Sequence, residues 1–396
     1  MSKWYCLNCS DEQERDSRPD SCSVCGSDAK LMINREDVAL PGTPEDVRDI
    51  ARKRLKGLCA AYPFCDGGFD KVCQKEAYGK PIGFGGAGQG RSFAANYASL
   101  MNIRLKMRVV GDHIEPDTST EFLGMKLDFP VMGASTAGIE KYNDAMPERD
   151  FCRAVVRGCR DAGTIGWRGD TWFYTPDDNP ALDVLKDENL KKDIDGTALP
   201  GRGIAIFKPR SQDVLKRLIT LAEEAGCPAV GLDLDGCGST IMARHGQPVF
   251  RKSINDLTEL VRFTSLPFIT KGIMSVEDAL ACADAGASVI SVSNHGGRVL
   301  DSTPGVAEVL PEIASALKGR VFITADGGIR TGYDVLKMIA LGADAVLLGR
   351  DVIRAAVGAG ALGVKIHMEH IKKVFKKAMF MTGQNSVKGI DGSILC

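Results

Sequence analysis

The sequence predicts an α/β chain: a (β/α)8 barrel of eight parallel strands, with a small four-cysteine metal module in front of it. Three observations predict it. Short apolar runs end in loops of glycine and charge, as where Ser288–Val292 opens into Ser293-Asn294-His295-Gly296-Gly297-Arg298. These runs alternate with segments whose apolar residues recur at i, i+3 and i+4, as in helices that cover a sheet. The last two runs, Val321–Ala325 and Ala345–Leu348, open into Asp326-Gly327-Gly328-Ile329-Arg330 and Gly349-Arg350. Such a barrel keeps its phosphate site after its last two strands.

Taken in order, residues 1–35 form the module. Cys6-x2-Cys9 and Cys22-x2-Cys25 are two knuckles with a polar insert between them, and four paired thiolates make a tetrahedral metal site. So short a segment has too little core to fold without its metal. With Lys3-Trp4-Tyr5 before the first knuckle, the spacing resembles the rubredoxin-like domain of rubrerythrins, which implies iron. Ser10 stands where that domain usually has Gly, and a four-Cys ribbon accepts zinc equally well by geometry. Residues 36–50 read as a linker broken at Pro41-Gly42-Thr43-Pro44, with Thr43-x-x-Asp46 as a helix start and a basic helix over 46–57.

Residues 51–396 read as the barrel domain. Cys59, Cys65 and Cys73 sit in a glycine-rich stretch that runs to Gly90; they read as free thiols or as part of a second metal centre, though their x5 and x7 spacing fits no ferredoxin run. Thr118–Asp128 reads as a hairpin closing the barrel bottom. Strands then follow at Pro130–Ala134, Thr164–Trp167, Ile204–Phe207, Ala229–Leu234 and Pro267–Thr270, before the three named above. Helices are expected over Arg149–Ala162, Gln212–Ala225, Ser275–Ala285, Val306–Leu317 and Gly332–Leu341, with a basic amphipathic helix, Val364–Met381, at the end.

A net charge of −1 offers no field for nucleic acid or a membrane surface, and no apolar run is long enough to span one. The N-terminus has no apolar signal core, and thirteen cysteines in a signal-free chain suit thiols and metals rather than disulfides, so a cytoplasmic protein is expected.

Residues 288–350 resemble the FMN-dependent α-hydroxy-acid oxidase and dehydrogenase family, which includes glycolate oxidase, lactate oxidase and flavocytochrome b2. The motif Ser-Asn-His-Gly-Gly-Arg with Leu300-Asp301, then Asp-Gly-Gly-Ile-Arg, then Leu341 to Arg350, carries the resemblance, which weakens back to about residue 45. It implies FMN as cofactor and a small carboxylate-bearing substrate. His295 matches the family's base and Asp235 the carboxylate that orients it. Arg298 matches the substrate's carboxylate anchor, and Lys271 the lysine beside the flavin. Ala134, Ser135 and Thr136 match the backbone along the flavin ring, and Ser293 joins them. Asp326, Gly328, Arg330, Gly349 and Arg350 match the phosphate cradle. A His suits the first role because its pKa lies near neutrality, and a guanidinium grips two oxygens at once.

Several positions depart from the family. Its second carboxylate-gripping Arg would fall at Met242, its strand-three Tyr and Gln at Ala205 and Gly203, and its strand-two Ser at Gly169; Asp233 replaces a Thr. Arg244, in the short loop after the fourth strand, is a candidate substitute. The expectation is therefore an FMN-dependent dehydrogenase of 2-hydroxy acids, usually oligomeric in this family, whose electrons leave through the module's iron toward a redox protein. The alternatives are a different substrate on the same flavin barrel, as in type 2 isopentenyl-diphosphate isomerase or peptide-modifying relatives, or a zinc ribbon that docks a partner.

Overall fold

The computed structural model describes residues 2–55, 86–142, 144–192, 201–317 and 319–396. Cys59, Cys65, Cys73 and Gly85 lie outside the described residues. Eight parallel strands close a barrel: β6 (Val131–Thr136), β7 (Gly166–Arg168), β8 (Gly203–Phe207), β9 (Val230–Asp233), β10 (Phe268–Ile273), β11 (Val289–Val292), β12 (Phe322–Ala325) and β13 (Ala345–Leu348). The first and last pair directly, Val131 beside Val346 and Gly133 beside Leu348, which closes the ring. Strand alternation divides the side chains into two cores. Ile204, Ile206, Trp167, Ile269 and Leu347 fill the barrel, while Ala205, Phe207, Val230 and Leu232 face the surrounding helices.

The expected hairpin is present as β4 (Thr120–Phe122) and β5 (Met125–Leu127); Phe122 and Leu127 are fully buried in the inner core, and Phe122 meets Phe322 ring to ring at 5.0 Å. The helix start expected at Thr43-x-x-Asp46 is present: Thr43 and Asp46 complete a capping box, and the helix runs Pro44–Arg54. The last helix is much longer than expected, Arg350–Met381, with non-helical backbone at Ala359 and Gly360.

That break receives the N-terminal module, whose sheet is β1 (Ser2–Cys6) flanked by β2 (Glu12–Arg15) and β3 (Met32–Asn34). Asn8, between the first two cysteines, accepts from Ala361 N at 2.9 Å and donates to Ser27 Oγ and the Asp150 carbonyl. The Leu7 carbonyl accepts from Leu362 N, and Arg157 Nη1 donates to the Asn8 carbonyl at 3.0 Å. A side chain at Gly360 would lie 2.6 Å from Asn8 Oδ1, and its φ of +57° also selects glycine. Helix 44–54 seals the joint, its Val47 carbonyl pressed against Gly358.

Candidate active site

The C-terminal ends of the strands open into a cavity of about 540 Å³. His295 sits there on the turn after β11, with φ of +56°, followed by Gly296 and Gly297, both also left-handed. A β-carbon at Gly297 would lie 2.4 Å from Phe93 N, so the turn is pressed against helix Arg91–Asn102. Asn294 Oδ1 accepts from Gly297 N at 3.0 Å and holds it closed. A non-glycine residue in this region is strained, and such strain collects at working sites.

His295 Nδ1 lies 2.9 Å from Asp235 Oδ1 and 3.5 Å from Asp233 Oδ2. Asp235 owes its place to a bulge in β10: Gly272, at φ of +94°, would otherwise put a β-carbon 2.5 Å from the Asp235 carboxyl carbon. Lys271, one residue earlier in that strand, directs Nζ to Asp233 Oδ1 (3.1 Å), Ser293 Oγ (3.2 Å) and Asp326 Oδ2 (3.6 Å). Ser293 Oγ in turn donates to Asp326 Oδ1 at 2.9 Å.

The charges here are set by burial working against contact. Burial lowers the His295 pKa; Asp233 opposes this and Lys208 adds to it, so the imidazole stays below its ordinary value. Burial alone would raise Asp233, yet His295, Lys208 and Lys271 hold it well below the usual carboxylate range. Burial would strip Lys271 of its proton, but Asp233, Asp326 and Asp235 more than reverse that. Asp326 is raised, chiefly by burial. Asp233, Asp235 and His295 offer atoms within 4.8 Å of one another, a spacing a metal could bridge. Two ammonium groups already occupy the Asp233 oxygens, so a cation there would be repelled.

The opposite wall carries the other matched residues. Gly328, Arg330, Gly349 and Arg350 line it together with Ala134, Ser135 and Thr136. Arg330 Nη1 donates to Asp351 at 2.7 Å, its Nε contacts the Tyr97 hydroxyl, and its buried Nη2 has no partner among the described residues. Arg350 Nη2 donates to the Gly296 carbonyl at 3.0 Å, at the start of the long helix, where backbone amides favour an anion. Ser135 Oγ and Thr136 Oγ1 are likewise buried without a partner among the described residues. Unpaired donors beside a helix N-terminus and glycines are what a heterocycle with one phosphate would satisfy, so these residues fit FMN.

A family model described as FMN-dependent dehydrogenase matches residues 82–245 and 239–396. The chain belongs to that family. This flavoenzyme is 30% identical to human 2-hydroxyacid oxidase 1 over 78% of its own length and 90% of that protein's. It is 33% identical to 4-hydroxymandelate oxidase of Amycolatopsis orientalis, covering 76% of this chain and 89% of that one. L-lactate dehydrogenase of Ectopseudomonas mendocina is also 33% identical, with coverages of 78% and 92%. Among solved structures, mandelate oxidase with (S)-2-phenylpropionate superposes with a TM-score of 0.67 at 27% identity, covering 90% of this chain and 98% of that one. The flavoenzyme is thus an oxidoreductase, and its first 81 residues lie before the family match.

Arg298 is exposed and donates to the Tyr142 hydroxyl at 3.3 Å. Met242 is buried in the cavity wall, on a short helix, Thr240–Arg244, where a loop was expected. Arg244 lines the outer part, and His245 stacks on Trp172 at 3.7 Å. The strand-three assignments need correcting: Gly203 and Ala205 face the helices, a β-carbon at Gly203 meeting Leu185 and Val156. On the inward side Ile204 and Ile206 are followed by Lys208, which lines the cavity and donates to Asp233 Oδ2 at 2.7 Å. Sequence reasoning missed Lys208; counting alternate residues from Ile204 would have found it.

In the module, Cys6, Cys9, Cys22 and Cys25 bring their sulfurs within 4.8 Å of one another, as a tetrahedral metal requires. Gln13 Nε2 donates to Cys22 Sγ at 3.3 Å.

Proposed function

We propose that this enzyme oxidises a 2-hydroxy acid to the 2-oxo acid, and that the electrons leave through iron held by Cys6, Cys9, Cys22 and Cys25. The carrying observation is the His295–Asp235 contact at 2.9 Å inside the cavity. Asp235 accepts the Nδ1 proton, which leaves the Nε2 lone pair to take the proton of the substrate hydroxyl. The hydrogen on the carbon that bears this hydroxyl would leave with its electron pair to FMN when that is bound, and Asp235 and Asp233 would stabilise the imidazolium made by the hydroxyl proton. FMN, when bound, supplies the two-electron acceptor. Arg298 grips the substrate carboxylate, and Lys271 provides positive charge where the cofactor becomes anionic.

The relay reading is supported by how the module is fixed. Lys30 Nζ donates to the Asp144 carbonyl at 2.8 Å, in the same loop as Tyr142, the partner of Arg298. The reading takes the enzyme as a cytoplasmic homo-oligomer that delivers electrons to a redox protein; the buried thiols of Cys152, Cys159, Cys227 and Cys282 suit a reducing compartment.

Anaerobic mixing with a panel of 2-hydroxy acids and the matching amino acids tests the substrate class. At least one hydroxy acid should bleach the flavin; bleaching only by amino acids, or by none of the panel, overturns the reading. The visible spectrum of the same sample tests the metal. Ferric iron in four thiolates is coloured, whereas a colourless, zinc-loaded module would be a docking ribbon.

A further inference from the structure

The cations around His295 differ in what they have left to give. Lys271 hydrogen-bonds Asp233 and Ser293 and lies 3.6 Å from Asp326, with its side chain 5% exposed, so it is closed in by two carboxylates and a hydroxyl. Arg298 stands out at the mouth. Lys208 lies between these extremes. Its Nζ has one hydrogen bond among the described residues, to Asp233 Oδ2, and its side chain is 13% exposed, facing the cavity it lines. Two of its three protons therefore have no partner among the described residues, beside a cavity that a ligand can fill.

Lys208 is also next to the base. Asp233 Oδ2 lies 2.7 Å from Lys208 Nζ and 3.5 Å from His295 Nδ1, so one oxygen spans the two. A 2-hydroxy acid carries its carboxylate on the carbon that bears the hydroxyl. When that hydroxyl meets His295, the carboxylate lies within a few ångströms of the base. The wall there contributes Met242, which is buried and has no charge.

We propose that Lys208 is a substrate-binding residue: the ammonium that receives the substrate carboxylate beside His295, with Asp233 aiming it. The inference rests on the hydroxy-acid reading and adds to Arg298, exposed at the mouth, a second cation on the inner side of the cavity. Lys208 also belongs to the charge set around the base, with Asp233 and Asp235 from the β9 end, Lys271 from β10 and Asp326 from β12. Removing a cation from that set favours imidazolium, so the proton affinity of His295 should rise.

The test uses the full-length FMN-loaded enzyme and oxalate, an unreactive dianion, followed by the change in flavin absorbance. In Lys208→Met, oxalate should bind about 10- to 100-fold more weakly while FMN is retained, the size expected for losing a charged hydrogen bond. Lys208→Arg should recover most of the binding. With a hydroxy acid that bleaches the parent, KM should rise in Lys208→Met and the acid limb of kcat/KM should move to higher pH. If Lys208 served only to neutralise Asp233, the double variant K208M/D233N would restore oxalate binding; no restoration is expected. Should Lys208→Met lose FMN, the same comparison is read from Lys208→Gln. Oxalate affinity within twofold of the parent and an unmoved acid limb overturn the inference while leaving the hydroxy-acid reading intact. A parent flavin that no 2-hydroxy acid bleaches overturns both.

Discussion

Residues 2–34 and the barrel behind them are held together by different means. The module's own core is Cys6, Cys22 and Met32, with Trp4, Cys9 and Cys25 at its edge. The barrel buries two full cores, one inside the strands and one beneath the helices. The module's other large apolar groups, Leu7 and Leu31, are buried in the barrel's outer core instead. Four clustered sulfurs and a docking joint therefore stand in the module where apolar area stands in the barrel. The lesson is that the two can fail separately: under the proposed relay the barrel holds every group of the first chemical step, whereas the module holds the four cysteines and depends on its seat.

The sharpest way to break the comparison is Cys9→Ser. It should abolish electron transfer to a one-electron acceptor while leaving flavin bleaching by substrate at the parental rate. Stopped-flow traces would show bleaching without recovery; equal reoxidation in variant and parent would remove the relay from the mechanism.

The converse change is His295→Gln. It should retain FMN and module colour but slow flavin reduction about 10²- to 10⁴-fold, the usual cost of removing a positioned base. Bleaching at the parental rate would show that another group takes the proton.

Changes at the joint should be smaller. Asn8→Ala removes hydrogen bonds to Ser27, Asp150 and Ala361, and Gly360→Ala puts a side chain where φ is +57° and ψ is −144°. Each should cost about 1–3 kcal/mol, read as earlier metal release on heating while flavin release is unchanged. Coincident shifts of both signals would show that module and barrel unfold as one unit.

The smallest effect is in pH. Because burial lowers the His295 pKa, the neutral base persists below the ordinary histidine value of about 6.5, and the acid limb of kcat/KM should fall beneath it. The folded state binds fewer protons than the unfolded one at this site. His295 therefore contributes a destabilisation that appears as pH falls through about 6.5, the unfolded value, and grows until the folded pKa is reached. An acid limb above pH 7 would contradict this.

The barrel was legible because most strands left the same signal, an apolar run and then glycine with charge. The His295–Arg298 turn and the Asp326–Arg330 loop were readable for the same reason, since only particular residue types can make such turns. The four-cysteine cluster was equally plain. Lys208 was hidden because a lysine after a strand usually means solvent, and its meaning depends on which side of the barrel wall it faces. The joint was hidden more deeply. Gly360 reads as one more small residue in an alanine- and glycine-rich run, and nothing nearby announces that Asn8 is its partner.

The seating of Asn8 against Ala361 also fixes an order of events during synthesis. The two residues are 353 positions apart, so at roughly 5–20 residues per second the ribosome needs about 20–70 s to make the seat after the knuckle has emerged. For that interval the cysteines are outside the exit tunnel without the surface on which Asn8 later docks. The knuckle and its seat are therefore made at different times, and whatever the four sulfurs bind before the chain is finished they bind without the barrel's support.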